Sequence, residues 1–176
     1  MRRREPPFPR HYVVTVTTRD RRPQEIPDIS YIFLTLDDYR LLERADGLLE
    51  ASEVHGNWYG TPRDQVRSAL SSGKDAILKI DVQGAEKVRA AVEDALLIYV
   101  VPPSFEVLRQ RLMERRTETA AQLETRLRNA EHELAQQDRY DHVVVNETDQ
   151  IDRTAERIDA IIAAEHVRFP DRRIEV

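Results

Sequence analysis

The 176-residue chain has no cysteine, only five glycines, three lysines among its 27 basic residues and no apolar run of membrane-spanning length. Each shortage excludes something. Without cysteine there is neither a disulfide nor a thiolate zinc site, which suits a reducing compartment, and the cytoplasm is the expected location. A basic start, Met1 to Arg4, runs into Glu5, Pro6, Pro7 and Pro9 where a signal peptide needs an apolar stretch, so neither export nor a membrane partner is expected. The five glycines, Gly47, Gly56, Gly60, Gly73 and Gly84, do not form G-x-x-x-x-G-K-[ST], the loop that cradles phosphates between a strand and a helix. The single Gly-Lys pair, Gly73-Lys74, runs into Asp75 and has no glycine five residues before it. His11, His55, His132, His142 and His166 show no paired spacing, so no metal site is expected from them.

What is present is arginine. Net charge is −5, which argues against a nucleic-acid partner, yet 24 of the basic residues are Arg. The guanidinium is a planar fork of donors that grips a phosphate bidentately, whereas lysine acts as a point charge. For most of these arginines, genome composition or heat tolerance is explanation enough. With 40% hydrophobic residues the chain is long enough to bury one domain's core.

Short β-branched runs alternate with helical stretches, the pattern of an α/β sheet with crossovers. Strands are expected near Tyr12 to Val16, Tyr31 to Leu34, Leu48 to Val54, Ala76 to Asp81, Leu96 to Val101 and His142 to Val145. The apolar runs before Lys79 and from Leu96 suit parallel strands covered on both faces. The first and third interleave polar residues and suit a smaller, half-exposed sheet carrying Thr15 and Glu50 into a cleft. Thr35 with Asp38 predicts a capping box for a helix from Asp37 to Ala45, closed by Gly47. Thr61 then Pro62 reads as an N-cap and first helical residue, with Gly73 ending that helix. Ser104 caps Phe105 to about Glu114, Thr119 with Gln122 opens the longest helix, and Ile151 to Ala164 is the last. The Pro-rich start and the tail after Phe169 are expected to be mobile.

Two arginines three apart, two tyrosines and one glutamate between Thr15 and Asp81 form a donor set suited to a nucleoside monophosphate. Here the sequence resembles guanylate kinase. The resemblance rests on Thr17, Thr18, Arg19, Arg22, Glu25, Tyr31 and Phe33, with Asp28 where that family's glycine is expected. It continues through Gly56 to Pro62, Ile80 to Ala85, Pro102-Pro103-Ser104 and Arg111 to Glu118, covering nearly the whole chain.

The resemblance implies an α/β fold: a three-layer P-loop-kinase-like parallel sheet, a smaller GMP-binding mixed sheet and a helical lid, with the first strand and P-loop missing from this chain. It implies a single domain over 1–176. Within it, 1–11 is a remnant of the helix after the P-loop, 12–74 the GMP-binding region, 75–110 and 139–176 the core, and 111–138 the lid and following helix. The implied reaction is ATP plus GMP giving ADP and GDP, with magnesium as the ion. Without a donor phosphate loop, the chain as it stands is expected to be inactive. A non-catalytic module that binds GMP or a phosphorylated protein through the same residues is the alternative, and a decayed gene product the blander one.

Residue by residue, Glu50 is implied to receive guanine's N1–H and 2-amino donors, since an ionised carboxylate is an acceptor-only group. Thr15 and Thr61 complete the base contacts. Arg19, Arg22, Tyr31 and Tyr59 clamp the phosphate, and Asp81 is counted with the GMP set. Arg115 and Arg126 correspond to lid arginines that meet charge on the transferring phosphoryl group, and Asn146 to an adenine contact. Blander readings stand beside these: tyrosines as core, Glu50 as a solvated strand residue, the arginines paired with Glu114, Glu118 and Glu124, and Asn146 as a turn. Lys79 departs from the family's acidic residue. Two positions from Asp81, it is expected on the same strand face, where it would neutralise Asp81 and weaken a magnesium site there.

Overall fold

The structure, a computed structural model, describes residues 8–54, 56–114 and 120–176. These fall into two compact units, one reaching to Ala95 and joined by Asp171–Val176, the other Leu96–Pro170. Parallel and mixed sheets alternate with helices, as an α/β fold requires.

In the first unit, β1 (Arg10–Tyr12) pairs in parallel with β6 (Asp75–Ile77). The mixed sheet has the order β3 (Ile32–Phe33), β2 (Val16–Thr17), β5 (Asn57–Pro62), β4 (Leu48–Val54). The single strand expected from Tyr12 to Val16 is therefore two strands in two sheets. Val13 still donates to the Ile77 carbonyl, but the amide and carbonyl of Val14 are taken by the Gln65 carboxamide, at 2.9 and 3.2 Å. Satisfied by a side chain, Val14 leaves the first sheet without stranding a buried polar group, and the next residues enter the second.

Alternation gives the mixed sheet two unlike faces. Val16, Ile32, Ala51 and Trp58 lie on one, packed with Leu48 against Tyr39 and Leu42 of α1 (Leu36–Arg44). The other carries Thr17, Tyr59, Thr61, Glu50 and Ser52. A bulge between Leu48 and Glu50 sends the surplus Leu49 into a separate core with Val13, Val66, Val88 and Val92. The polar face is not half-exposed, as the sequence suggested, because Thr17 and Thr61 are fully buried, and Glu50 and Ser52 retain 5% and 1% exposure.

Local signals explain several boundaries. Thr35 Oγ1 accepts from the Asp38 amide and donates to its carboxylate, so the capping box forms. The left-handed residue at the end of α1 is Asp46, φ 54°, whereas Gly47 is required by crowding: a Cβ there would lie 2.4 Å from Leu42 Cδ1. Gly73, φ 71°, does end α2 (Arg63–Ser71). Thr61 is no cap for α2, since Pro62 takes that place and Thr61 belongs to β5, a strand the sequence did not suggest.

Residues 78–81 lie outside β6, so Lys79 and Asp81 do not share a strand face. Asp81 instead caps α3 (Val82–Ala91), its carboxylate accepting from the Gly84 amide at 2.9 Å. The expected mobile tail is in fact docked: Ile174 and Val176 pack on the larger core, and the Val176 carbonyl accepts from Arg67 Nε.

In the second unit, β7 (Ile98–Val101) and β8 (His142–Val145) pair in parallel, with α4 (Phe105–Glu114), α5 (Ala120–Leu134) and α6 (Ile151–Arg168). Val101 and Val144 are buried, but Val100 and Val143 are exposed, so coverage on both faces is incomplete among the described residues. Tyr99 and Tyr140 stack at 4.5 Å, and the Asp141 carboxylate accepts from the Leu97 amide. Ser104 Oγ accepts from Val107, as a cap should. Thr119, the expected cap of α5, lies outside the described residues.

Candidate functional site

The polar face of the mixed sheet gathers most of the sequence-predicted residues into two clusters. The first is built on Glu50. Register places it opposite Thr61, whose hydroxyl donates to Oε1 at 2.7 Å. Ser52, two residues along β4, donates to Oε2 at 3.2 Å. From α3, Lys87 reaches the Ala51 carbonyl and Ser52 Oγ, while the helix's first turn lies against the carboxylate at Gly84. Burial is the main influence on Glu50 and pushes its pKa up. The two hydroxyls and Lys87 pull the other way, and Asp81 adds to the rise. A carboxylate offers about four lone-pair positions, so with two taken by hydroxyls two remain. Thr15 is buried on the approach to β2, its carbonyl accepting from Ile32.

The second cluster surrounds Arg19. Its Nε donates to the Tyr59 hydroxyl at 3.3 Å and a terminal nitrogen to Glu25 Oε1 at 2.7 Å. The guanidinium lies 5.5 Å from the centre of the Tyr31 ring, which meets Tyr59 edge-on at 6.1 Å. Burial works against the Arg19 charge, but the bonds to Glu25 and Tyr59 outweigh it and raise its pKa. Glu25 is lowered, chiefly by Arg19. Lys79 lies 5.4 Å from the same Tyr31 ring rather than neutralising Asp81. Arg22 is exposed, and its backbone amide, not its guanidinium, contacts Glu25. Asp28 takes φ 61°, a left-handed conformation in which glycine is the easier residue, and its amide donates to the Tyr31 carbonyl.

A cavity of about 520 Å³ runs along Thr18–Arg21, Phe33–Leu36 and Gly56–Trp58, and of the predicted site residues only Arg19 lines it. Glu50 and Thr61 are buried and lie outside its lining.

In the second unit, the Asn146 carboxamide oxygen accepts from Thr154 Oγ1 at 3.3 Å, and its carbonyl accepts from Arg111 at 3.0 Å. Arg111 is thus a support for the loop after β8. Arg126 is half-buried on α5, and Arg115 lies outside the described residues. Sequence reasoning missed Ser52, Lys87 and the approach of Gly84. Period-two spacing from Glu50 could have flagged Ser52; the other two depend on how α3 docks. Among the described residues no group of three or more His, Cys, Asp or Glu could hold a metal ion, and no helix is long and apolar enough to cross a membrane.

Comparison with known proteins covers most of the chain. The family described as guanylate kinase matches residues 3–165. A guanylate kinase of Brucella melitensis is 43% identical over 161 residues, 91% of this chain and 72% of the relative. That of Bacillus subtilis is 41% identical over 157 residues, 89% of this chain and 76% of the relative. The crystal structure of guanylate kinase from Anaplasma phagocytophilum superposes with a TM-score of 0.75 at 33% identity, covering 88% of this chain and 75% of that one. A family match over most of the chain and relatives above 40% identity lead to one conclusion: this chain belongs to the guanylate kinase family.

Proposed function

We propose that the chain serves a guanylate kinase reaction, ATP plus GMP giving ADP and GDP, and that the polar face of the mixed sheet is its GMP site. The observation that carries this is the buried Glu50 carboxylate, held by Thr61 and Ser52 with two lone-pair positions to spare. Guanine presents two adjacent donors, N1–H and the 2-amino group, and fills them. Adenine presents an acceptor at N1 and leaves the carboxylate unpaired, a mismatch that costs about 10⁴-fold in sites built on hydrogen bonds. Thr15, buried one residue before β2, is the further base contact on this reading.

Arg19, Tyr31 and Tyr59 form the phosphate clamp, with Arg22 closing on it from solvent. Charge-assisted bonds from guanidinium to phosphate supply most of the grip. Glu25 holds Arg19 in place until the nucleotide arrives. Phosphoryl transfer depends chiefly on positioning and on fixed positive charge around the equatorial oxygens. On this reading Arg126 and Arg115 meet that charge and Asn146 lies near the adenine. Asp81 supports the site as the cap that holds the first turn of α3 against Glu50.

ATP and magnesium enter with the family's reaction. On this reading the ion is carried mainly by nucleotide phosphates and water. The 176 residues contain no G-x-x-x-x-G-K-[ST]; this chain's own residues supply the acceptor side, and the donor side follows from the family. The same clamp would serve a non-catalytic module that binds GMP or a phosphorylated protein, and the cytoplasm suits either role. Calorimetry with GMP and AMP tests the acceptor site, and ADP release in a coupled assay with GMP tests catalysis. Equal affinity for the two nucleotides would overturn the base assignment, whereas GMP binding without turnover would favour the module.

A further inference from the structure

We propose that Ser52, braced by Lys87, is a positioning residue that keeps the Glu50 carboxylate ionised and aimed at the base; this rests on the GMP reading given above. Ser52 is 1% exposed, on the same face of β4 as Glu50. A hydroxyl has one hydrogen, and an ammonium can only donate. The Lys87 ammonium approaches Ser52 Oγ to 3.4 Å, so Oγ is the acceptor there. The Ser52 proton is then committed to Glu50 Oε2, 3.2 Å away. The result is a directed chain, Lys87 to Ser52 to Glu50, with positive charge at its outer end.

Such a chain has work to do. Charged and titratable groups reach Glu50 from two neighbouring elements. From α3, Asp81 disfavours the carboxylate and Lys87 favours it; from α1, Tyr39 feels the Glu50 charge while its own burial keeps it neutral. Burial also disfavours ionisation. A protonated Glu50 would turn a donor toward guanine's donors and lose the distinction from adenine. Thr61 fixes Oε1 but leaves Oε2 to Ser52 alone among the described hydrogen bonds. Gly84 leaves room beside the carboxylate, because a Cβ there would lie 3.0 Å from Oε2.

The test has a nucleotide-free arm and a nucleotide arm, both on the whole chain. In the first, NMR titration of the Glu50 carboxyl carbon is expected to show a higher midpoint in Ser52→Ala and in Lys87→Met than in the unaltered protein. In the second, Ser52→Ala is expected to reduce the GMP-to-AMP affinity ratio about tenfold at neutral pH, the effect of losing one hydrogen bond to a charged group. The ratio should fall more steeply as pH is lowered in Ser52→Ala than in the unaltered protein, and Ser52→Thr should restore it. An unchanged midpoint, or a loss of preference independent of pH, would overturn the proposal. If Ser52→Ala fails to fold, Lys87→Met, on an exposed side chain, carries both arms. If the unaltered chain shows no preference for GMP, the nucleotide reading falls, and the titration arm still decides whether Ser52 and Lys87 hold the carboxylate.

Discussion

Gly84 lies against Glu50 so closely that a methyl group on it would come within 3.0 Å of the carboxylate oxygen Oε2 and 3.2 Å of Asp81 Oδ1. Replacing it by alanine sets two effects against each other. Alanine favours the helix by about 1 kcal/mol over glycine, while the carboxylate must yield by a few tenths of an ångström. Gly84→Ala is therefore expected to leave unfolding free energy within about 1 kcal/mol of the original but to weaken GMP binding. Urea unfolding beside calorimetry separates the two; a large stability loss with unchanged affinity would contradict this account.

Glu50→Gln removes the charge while keeping the shape. The amide leaves one acceptor for guanine and turns its own donors on the second guanine hydrogen. Preference for GMP over AMP is expected to drop by about 10²-fold or more. Stability should hold or rise, because an ionised group no longer has to be buried. Competition binding with both nucleotides would show it, and retained preference would assign base reading elsewhere.

The pH dependence of binding and of stability should diverge at Glu50. Its folded pKa lies above the ordinary carboxylate value, first through burial and then through Asp81, with Thr61, Ser52 and Lys87 offsetting part of the rise. The folded state thus holds this proton more tightly than the unfolded chain. The burial penalty is full above the folded pKa and relieved as pH falls through it, so stability gains there while GMP affinity declines. Glu25 behaves oppositely. Arg19 depresses its pKa, so its stabilising contribution is present above the unfolded value of about 4.3 and lost as pH falls through the lower folded one. Calorimetric affinity measured down a pH series, with Glu50→Gln giving a flatter curve, checks the first claim; thermal melts of Glu25→Gln check the second.

Arg19 and Arg22 should be separable despite their spacing. Arg19→Ala strips Glu25 and Tyr59 of a partner as well as the phosphate of a ligand. It is expected to cost GMP affinity about 2 to 5 kcal/mol, to lower the melting temperature, and to leave guanosine binding almost unchanged. Arg22→Ala, at an exposed side chain, should weaken GMP binding with no change in melting. Equal losses for guanosine and GMP would make either arginine structural.

The parts of this fold that short-range chemistry decides were legible in the sequence. Thr35 and Asp38 announce α1, Gly73 ends α2, and β4 and β8 begin and end where their apolar patterns do. The errors came where distant packing overrides local appearance. Pro62 reads as the first residue of a helix, yet it ends a strand, and Gly60 within that strand is small because Leu48 lies against it, 2.7 Å from where a Cβ would be. Ile80 and Asp81 resemble a strand's end, but the carboxylate is occupied in starting α3. In the site, Glu50, Thr61, Arg19 and Tyr59 could be named only through the family resemblance, since type and spacing alone leave Glu50 a solvated strand residue and Tyr59 a core residue. Ser52 and Lys87 could not, because their meeting depends on sheet register and helix docking.

The bulge in β4 places Leu48 and Leu49, adjacent in the chain, in two separate cores. One peptide bond thus fastens both, and Glu50 follows it directly. Local opening of either core leaves the other still gripping the strand, so the carboxylate cannot be released by partial unfolding of one of them. The Glu50 amide should exchange its hydrogen only when the whole first unit opens, so that if Glu50 reads the base as proposed, selectivity would be among the last properties lost on denaturation.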